Sequence, residues 1–276
     1  MIEESNLTAK RIHEYLEHGN RFDKRDPEEY REIIIECGIS KKSEGSAKVK
    51  IGKTEVWVGV KMEVAEPYPD SPDKGNLMVT AELTPLSHPK YEYGPPKFDA
   101  IELGRLVDRG IRESRYIDLN KLCITEGEKV WQVFVDVYSI NDEGNLLDAA
   151  FIAAIAALKD TKVPFYDKKE EKIDYEKPSK EKLPLTENEP FNFSVYLIGD
   201  KFIMDPTQDE ESASDGRLVL ALTPTKPISI CSMQKSGEFE ISEVKFSEIL
   251  DSVEKVHKTI FPRVQKLIKS SVKNGK

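Results

Sequence analysis

At 276 residues, with 38% hydrophobic and 33% charged residues, the chain is too apolar for a disordered polyelectrolyte and long enough for one large domain or two closely joined halves. A net charge of -9 excludes whole-surface attraction to nucleic acid or to an anionic membrane, so any polynucleotide contact must come from a local basic patch. Three scattered cysteines (Cys37, Cys123, Cys231) and four histidines without metal-ligand spacing argue against a disulfide frame and a zinc site.

In chain order, residues 7–19 predict a short amphipathic helix with Leu7, Ile12 and Leu16 on one side. The charged run NRFDKRDPEEYREI predicts an irregular entry segment. Residues 46–65 carry the clearest strand signal: Val56, Val58, Val60, Met62 and Val64 alternate onto one face, after a turn at Gly52-Lys53. GNLMVTAEL (75–83) predicts another strand, followed by a proline-rich loop ending in GPPK. From Asp99 to about Arg115 the period becomes helical, and Val130–Ile140 alternates again as a strand. Asp148–Leu158 is apolar almost all round, which predicts a buried helix. It contains the longest apolar run, Ala149–Leu158, which is too short to span a membrane. The first ten residues lack the apolar core of a signal peptide, so a cytoplasmic location is expected. Lys159–Glu189, dense in charge and proline, predicts an exposed connector. FNFSVYLIG, KFIMD, LVLAL and PISICSM then predict strands, with a Gly199-Asp200 turn. A final helix over 246–270 is expected to break or kink at Pro262. Strands followed by helices, twice, predict an α+β chain of two similar halves, each packing helices on one face of a sheet.

Two stretches carry candidate chemistry. In FDAIELGRLVDRGIRESR, a step of 100° per residue gathers Ala100, Leu103, Val107, Gly110 and Ile111 on one stripe and Arg105, Arg109 and Arg112 on the opposite side. Three arginines one turn apart repel one another, and their forks suit phosphate oxygens. The plain alternative is a solvated face with Glu102, Asp108 and Glu113 as ion-pair partners. In DPTQDEESASDG, Asp205, Asp209, Glu210, Glu211 and Asp215 suit Mg²⁺ binding or general acid work, or else form a polar turn between strands. It is not an EF-hand, because Glu210 stands at the required glycine and Gly216 at the last ligand position. No nucleophile elbow, phosphate-binding glycine loop or dinucleotide fingerprint occurs.

Taken in order, RFDKRDPEEYR, EGSAKVKIGKTEVWVGVKMEV, PYPDSPDKGNLMVTAELTPLS, GPPKFDAIELGRLVDRGIRES, IDLNKLCI, VWQVFVDVYSINDEGNLLDAAFIAAIAAL and IMDPTQDEE resemble the RNase PH superfamily. Within it they are most similar to the non-catalytic RNase PH-like ring subunits of archaeal exosomes. The first segment matches an Arg-x-Asp-Gly-Arg…Tyr-Arg motif, with Lys24 in place of the glycine. The resemblance implies an RNase PH-type fold (ribosomal protein S5 domain 2-like), two βαβα-like halves in one compact unit. It implies divisions at 1–27 (N-terminal helix and entry segment), 28–165 (first half), 166–189 (connector) and 190–276 (second half with the last helix). It further implies a six-membered ring of three heterodimers with a catalytic RNase PH-like sister, capped by S1- or KH-domain proteins. Single-stranded RNA would be degraded from its 3′ end by phosphorolysis.

Departures from the family pattern imply that this chain does not itself catalyse. Where catalytic relatives carry a Gly-Gly-Thr-Arg-like phosphate loop, GNLLDAA places Leu146, Leu147 and Asp148, and an aspartate there is expected to repel phosphate. Counting from Asp205, the two catalytic aspartate seats fall on Glu211 and Arg217, and KFDA lacks the arginines that precede the 99–115 helix. A two-residue register shift would restore an acidic pair as Asp209 and Asp215. The expected cofactors are therefore none on this chain, with Mg²⁺ and inorganic phosphate at the partner's active site. The resemblance assigns RNA contacts to Arg105 and Arg109, which match the RNA-reaching positions of this subunit type. Arg112 joins them on the helical wheel alone. The alternatives are an active phosphorolytic exoribonuclease using Asp209 and Asp215, and a purely structural ring subunit.

Overall fold

The computed structural model describes residues 6–274 except 168, 176 and 178, so the first five residues of the entry segment, three connector positions and the last two residues lie outside the described residues. Two sheets enclose one layer of helices. The first sheet has the order β1-β2-β3-β6-β4, from β1 (Ile33–Cys37), β2 (Gly45–Ile51), β3 (Thr54–Ala65), β4 (Asn76–Leu83) and β6 (Lys129–Asn141), with short β5 (Cys123–Thr125) beside β6. All its pairings are antiparallel except β4 with β6, whose chain returns through α2 (Phe98–Glu113). The second sheet is antiparallel with order β10-β9-β11-β12, from β9 (Phe191–Ile198), β10 (Lys201–Met204), β11 (Gly216–Thr223) and β12 (Ser229–Ser236).

Alternation explains β3, where Val56, Val58, Val60 and Met62 are all buried while Trp57 faces out. The turn into it uses Gly52 at a φ of 57°, in the left-handed region where glycine has no Cβ penalty. α3 (Leu146–Asp160) is apolar all round for a tertiary reason: it packs on β1, β2, β3 and β6 of one sheet and on β9 of the other. With α2 and α5 (Glu243–Asn274) it forms a layer shared by both sheets. One continuous core therefore joins the halves, and a small satellite core under α1 (Asn6–Glu17) holds Ile12 and Leu16.

Several expectations are corrected. Leu7, expected beside Ile12 and Leu16, is exposed. β1 is a strand not anticipated from the sequence; its IIIEC run follows a charged segment and is too short to show a period by itself. The connector is only partly exposed. β7 (Phe165–Asp167) and β8 (Lys172–Asp174) make a hairpin, after which Leu183 N donates to Thr161 O and Asp118 N to Pro184 O. Leu183 and Glu189 are buried, because the return strand must satisfy its backbone against the core it crosses. α5 does not break at Pro262: Ile260, Phe261, Val264 and Ile268 stay buried across it, so packing outweighs the lost backbone bond. Among the described residues, no helix is long and apolar enough to cross a membrane.

Candidate functional site

α2 is the element that presents the arginine row. It buries Ala100, Leu103, Gly104, Leu106, Val107, Gly110 and Ile111, the predicted stripe and two more, against β4, β12 and α3. Two glycines set its depth. A Cβ on Gly104 would stand 3.3 Å from Val79 O of β4, and one on Gly110 would collide with the Phe151 ring of α3.

Arg105, Arg109 and Arg112 all lie on the exposed face, as the wheel predicts. Their pairing separates them. Asp108 accepts two hydrogen bonds from Arg112, at 2.8 and 3.0 Å, and Arg112 also donates to Leu77 O at 2.9 Å. Glu102 turns inward, to Arg217 at 2.5 Å and Gln234 at 3.2 Å. The side chains of Arg105 and Arg109 make no hydrogen bond or ion pair with any described residue. The plain alternative of a salt-bridged surface thus fits Arg112 and not the other two. Two exposed guanidinium groups without a counter-charge make a local positive patch on an acidic protein.

Beneath this helix lies a cavity of about 220 Å³, bounded by α2, the start of α3 and the start of β11. Leu146 and Leu147 line it, and so do Glu211 and Arg217, the residues to which the sequence resemblance assigns the two catalytic aspartate seats. Folding therefore brings two of the three departures together, the leucines of GNLLDAA and the pair Glu211 and Arg217. Glu211 accepts from the Tyr196 hydroxyl and from Asn145 N, both at 2.7 Å. Burial, with Asp142 nearby, raises its pKa above the ordinary carboxylate range. Asp142 itself accepts from Tyr91 at 2.6 Å and pairs with Lys90 at 3.2 Å. Every carboxylate named here is held by the protein's own donors. The cavity wall thus combines two leucines, a buried carboxylate and a guanidinium.

The rest of the acidic run is structural. Asp205 is fully buried at a φ of 47° and accepts from Arg25, Arg31 and Asn145. Glu210 forms a bidentate pair with Arg21, at 2.8 and 2.6 Å, and completes a capping box with Thr207 on α4 (Gln208–Ser212). Asp209 and Asp215 are exposed, and neither lines the cavity; Asp215 accepts from Gly199 N at the β9–β10 turn. Asp148, expected at the phosphate loop, is instead fully buried and bonded to Tyr30, Asn192 and Ser194, and it does not line the cavity. One residue past Leu147 the helix has turned that side chain toward β9. Sequence reasoning missed Lys90, Tyr91 and Asp142, which sit in loops without a period. The only available signal was their polarity beside predicted strand ends.

Comparison with known proteins now bears on the chain. Residues 29–164 match the model of the 3′ exoribonuclease family, domain 1, and residues 189–252 match domain 2 of the same family. The exosome complex component Rrp42 of Archaeoglobus fulgidus is 47% identical over 238 residues, 86% of this chain and 87% of that protein. A chain of the Archaeoglobus fulgidus exosome, solved with RNA bound to the active site, superimposes with a TM-score of 0.83 at 43% identity, covering 92% of this chain and 96% of that one. A chain of an archaeal exosome core gives a TM-score of 0.81 at 38% identity, covering 94% and 97%. With the family models, the relatives and the superimposed folds in agreement, the chain belongs to the RNase PH-type 3′ exoribonuclease family.

Proposed function

We propose that this chain is a non-catalytic subunit of an exosome ring, which holds single-stranded RNA and scaffolds a catalytic RNase PH-like partner. The observation that carries the reading is the pair Arg105 and Arg109, exposed and without counter-charge, above a cavity whose catalytic seats hold Glu211 and Arg217. Their forks grip phosphate oxygens without reading bases. Bond breaking, with Mg²⁺ and inorganic phosphate, belongs on this reading to the partner's active site. Three such heterodimers would close the ring, S1- or KH-domain proteins would cap it, and the assembly would work in the cytoplasm. Arg112, tied to Asp108, is a lesser RNA contact that opens only if Asp108 is displaced.

Two measurements test this. The purified chain, mixed alone with poly(A), Mg²⁺ and phosphate, is expected to release no ADP; release that disappears in Asp215→Ala would overturn the non-catalytic assignment. In the ring, Arg105→Glu/Arg109→Glu should weaken RNA binding about tenfold or more, as loss of charged hydrogen bonds predicts. The slope of log K against log salt should also become shallower by about 0.7 for each lost phosphate contact. Unchanged binding in an intact ring would leave a scaffold only.

A further inference from the structure

The arginine row continues toward the helix N-terminus with apolar side chains. Phe98 is 72% exposed and Ile101 49%, on a helix that buries seven other residues. At about 100° per residue, Phe98, Ile101, Arg105 and Arg109 fall within an arc of about 80°, and they span about 16 Å of helix. One exposed phenylalanine is ordinary in a soluble protein. A ring and an aliphatic side chain aligned with two unpaired guanidinium groups make a composite surface: a flat apolar face first, then cations one turn apart. Lys97, the cation nearest the ring in sequence, is occupied by Glu92, so the charge of the row resides on the two arginines. The surface therefore suits a polyanion that carries flat apolar groups. Single-stranded nucleic acid meets both conditions, because its phosphates want forked donors and its bases want a face to stack on.

We propose that Phe98, supported by Ile101, is a base-stacking platform that receives an unpaired nucleobase of the same RNA strand whose phosphates Arg105 and Arg109 hold. The inference rests on the RNA-holding reading above and adds a subsite to it. Every base has a π-face, so the platform grips bases regardless of identity. It also fixes the strand's register along α2, which phosphate contacts alone leave free to slide.

The test uses the ring reconstituted from the full chain and its catalytic partner, with oligoadenylate and no phosphate, and binding followed by fluorescence anisotropy across a salt series. Phe98→Ala is expected to weaken binding about tenfold, the middle of the range for loss of one stacked base. The salt slope should stay at its wild-type value, because no ion is released by stacking. Phe98→Tyr should retain wild-type affinity. An oligoadenylate with one abasic sugar should lose affinity for the wild-type ring at one position, and Phe98→Ala should be blind to that change. Wild-type affinity in Phe98→Ala overturns the proposal, and so does failure of that variant to assemble, which would place the ring against a protein partner. Arg105→Ala/Arg109→Ala reads the underlying assignment separately. If that variant keeps both affinity and salt slope while Phe98→Ala loses affinity at an unchanged slope, the phosphate-holding reading fails and the stacking platform stands.

Discussion

Asp205 is a carboxylate with no solvent-exposed surface and a backbone angle that L-residues seldom adopt. Its position is over-determined. Arg31 donates to it from its backbone N, Nε and Nη2, Arg25 from Nη1, and Asn145 from its side-chain amide. Arg31 also donates to the carbonyls of Glu143, Gly144 and Pro206, so this one group links the entry segment, the loop before α3 and the end of β10. Removing one member of a buried pair leaves an uncompensated charge, which costs about 3–5 kcal/mol. Asp205→Ala should therefore lose about that much in chemical denaturation, whereas exposed Asp209→Ala should stay within about 0.5 kcal/mol of wild type. Equal losses would contradict the hub. The same network accounts for Lys24, which stands at a φ of 66° where the family motif has glycine: the turn it makes aims Arg25 at Asp205.

At the scale of elements, α2 decides what the molecule can hold, and its seat depends on a missing side chain. A Cβ on Gly110 would stand 2.4 Å from Phe151 Cε2 and 2.8 Å from Cζ, inside van der Waals contact. Helix propensity alone favours alanine over glycine by about 1 kcal/mol. Overpacking a filled site costs about 1–3 kcal/mol and should win here, because Phe151 is itself fully buried and cannot swing away. Gly110→Ala is expected to lower Tm and, by lifting α2 from α3, to weaken RNA binding by the ring; a raised Tm would show that the aromatic contact yields. Arg217 works on the same element from the other side. By drawing Glu102 inward it keeps a carboxylate away from Arg105, three residues along the same helix.

At the scale of the whole molecule, the continuous core makes the two halves one cooperative unit. His257 of α5 is buried in it, stacked on Phe261 at 4.8 Å and edge-on to Phe191, with Phe193 beside it. Its Nε2 has no hydrogen-bond partner, and Glu254 is the charged group that acts on it. Burial pushes the imidazole below its ordinary pKa, the Glu254 carboxylate opposing it only in part. The folded state thus binds fewer protons than the unfolded state once pH enters the ordinary imidazole range. The stability of the neutral ring is complete above that range and is lost as pH falls through it. His257→Phe keeps the aromatic packing and removes the titration, so from about pH 7 to about pH 5 its stability should fall less than that of wild type. Parallel curves would show that His257 does not couple to folding.

Periodicity alone was enough to place β3, β6, α2 and α3 and to put Arg105, Arg109 and Arg112 on one exposed face, because alternation and the 3.6-residue turn are local properties of the chain. The order of the family's motifs was equally legible. Tertiary structure alone decided which arginines are free, since that depends on Glu102 meeting Arg217 across 115 positions of sequence. It also decided that Asp148 and Asp205 are buried structural groups, that the connector is stitched to the core, and that α5 runs unbroken through Pro262. Each of these turns on a partner distant in sequence, and the energy of a charge or a backbone break is set by what surrounds it rather than by its neighbours along the chain.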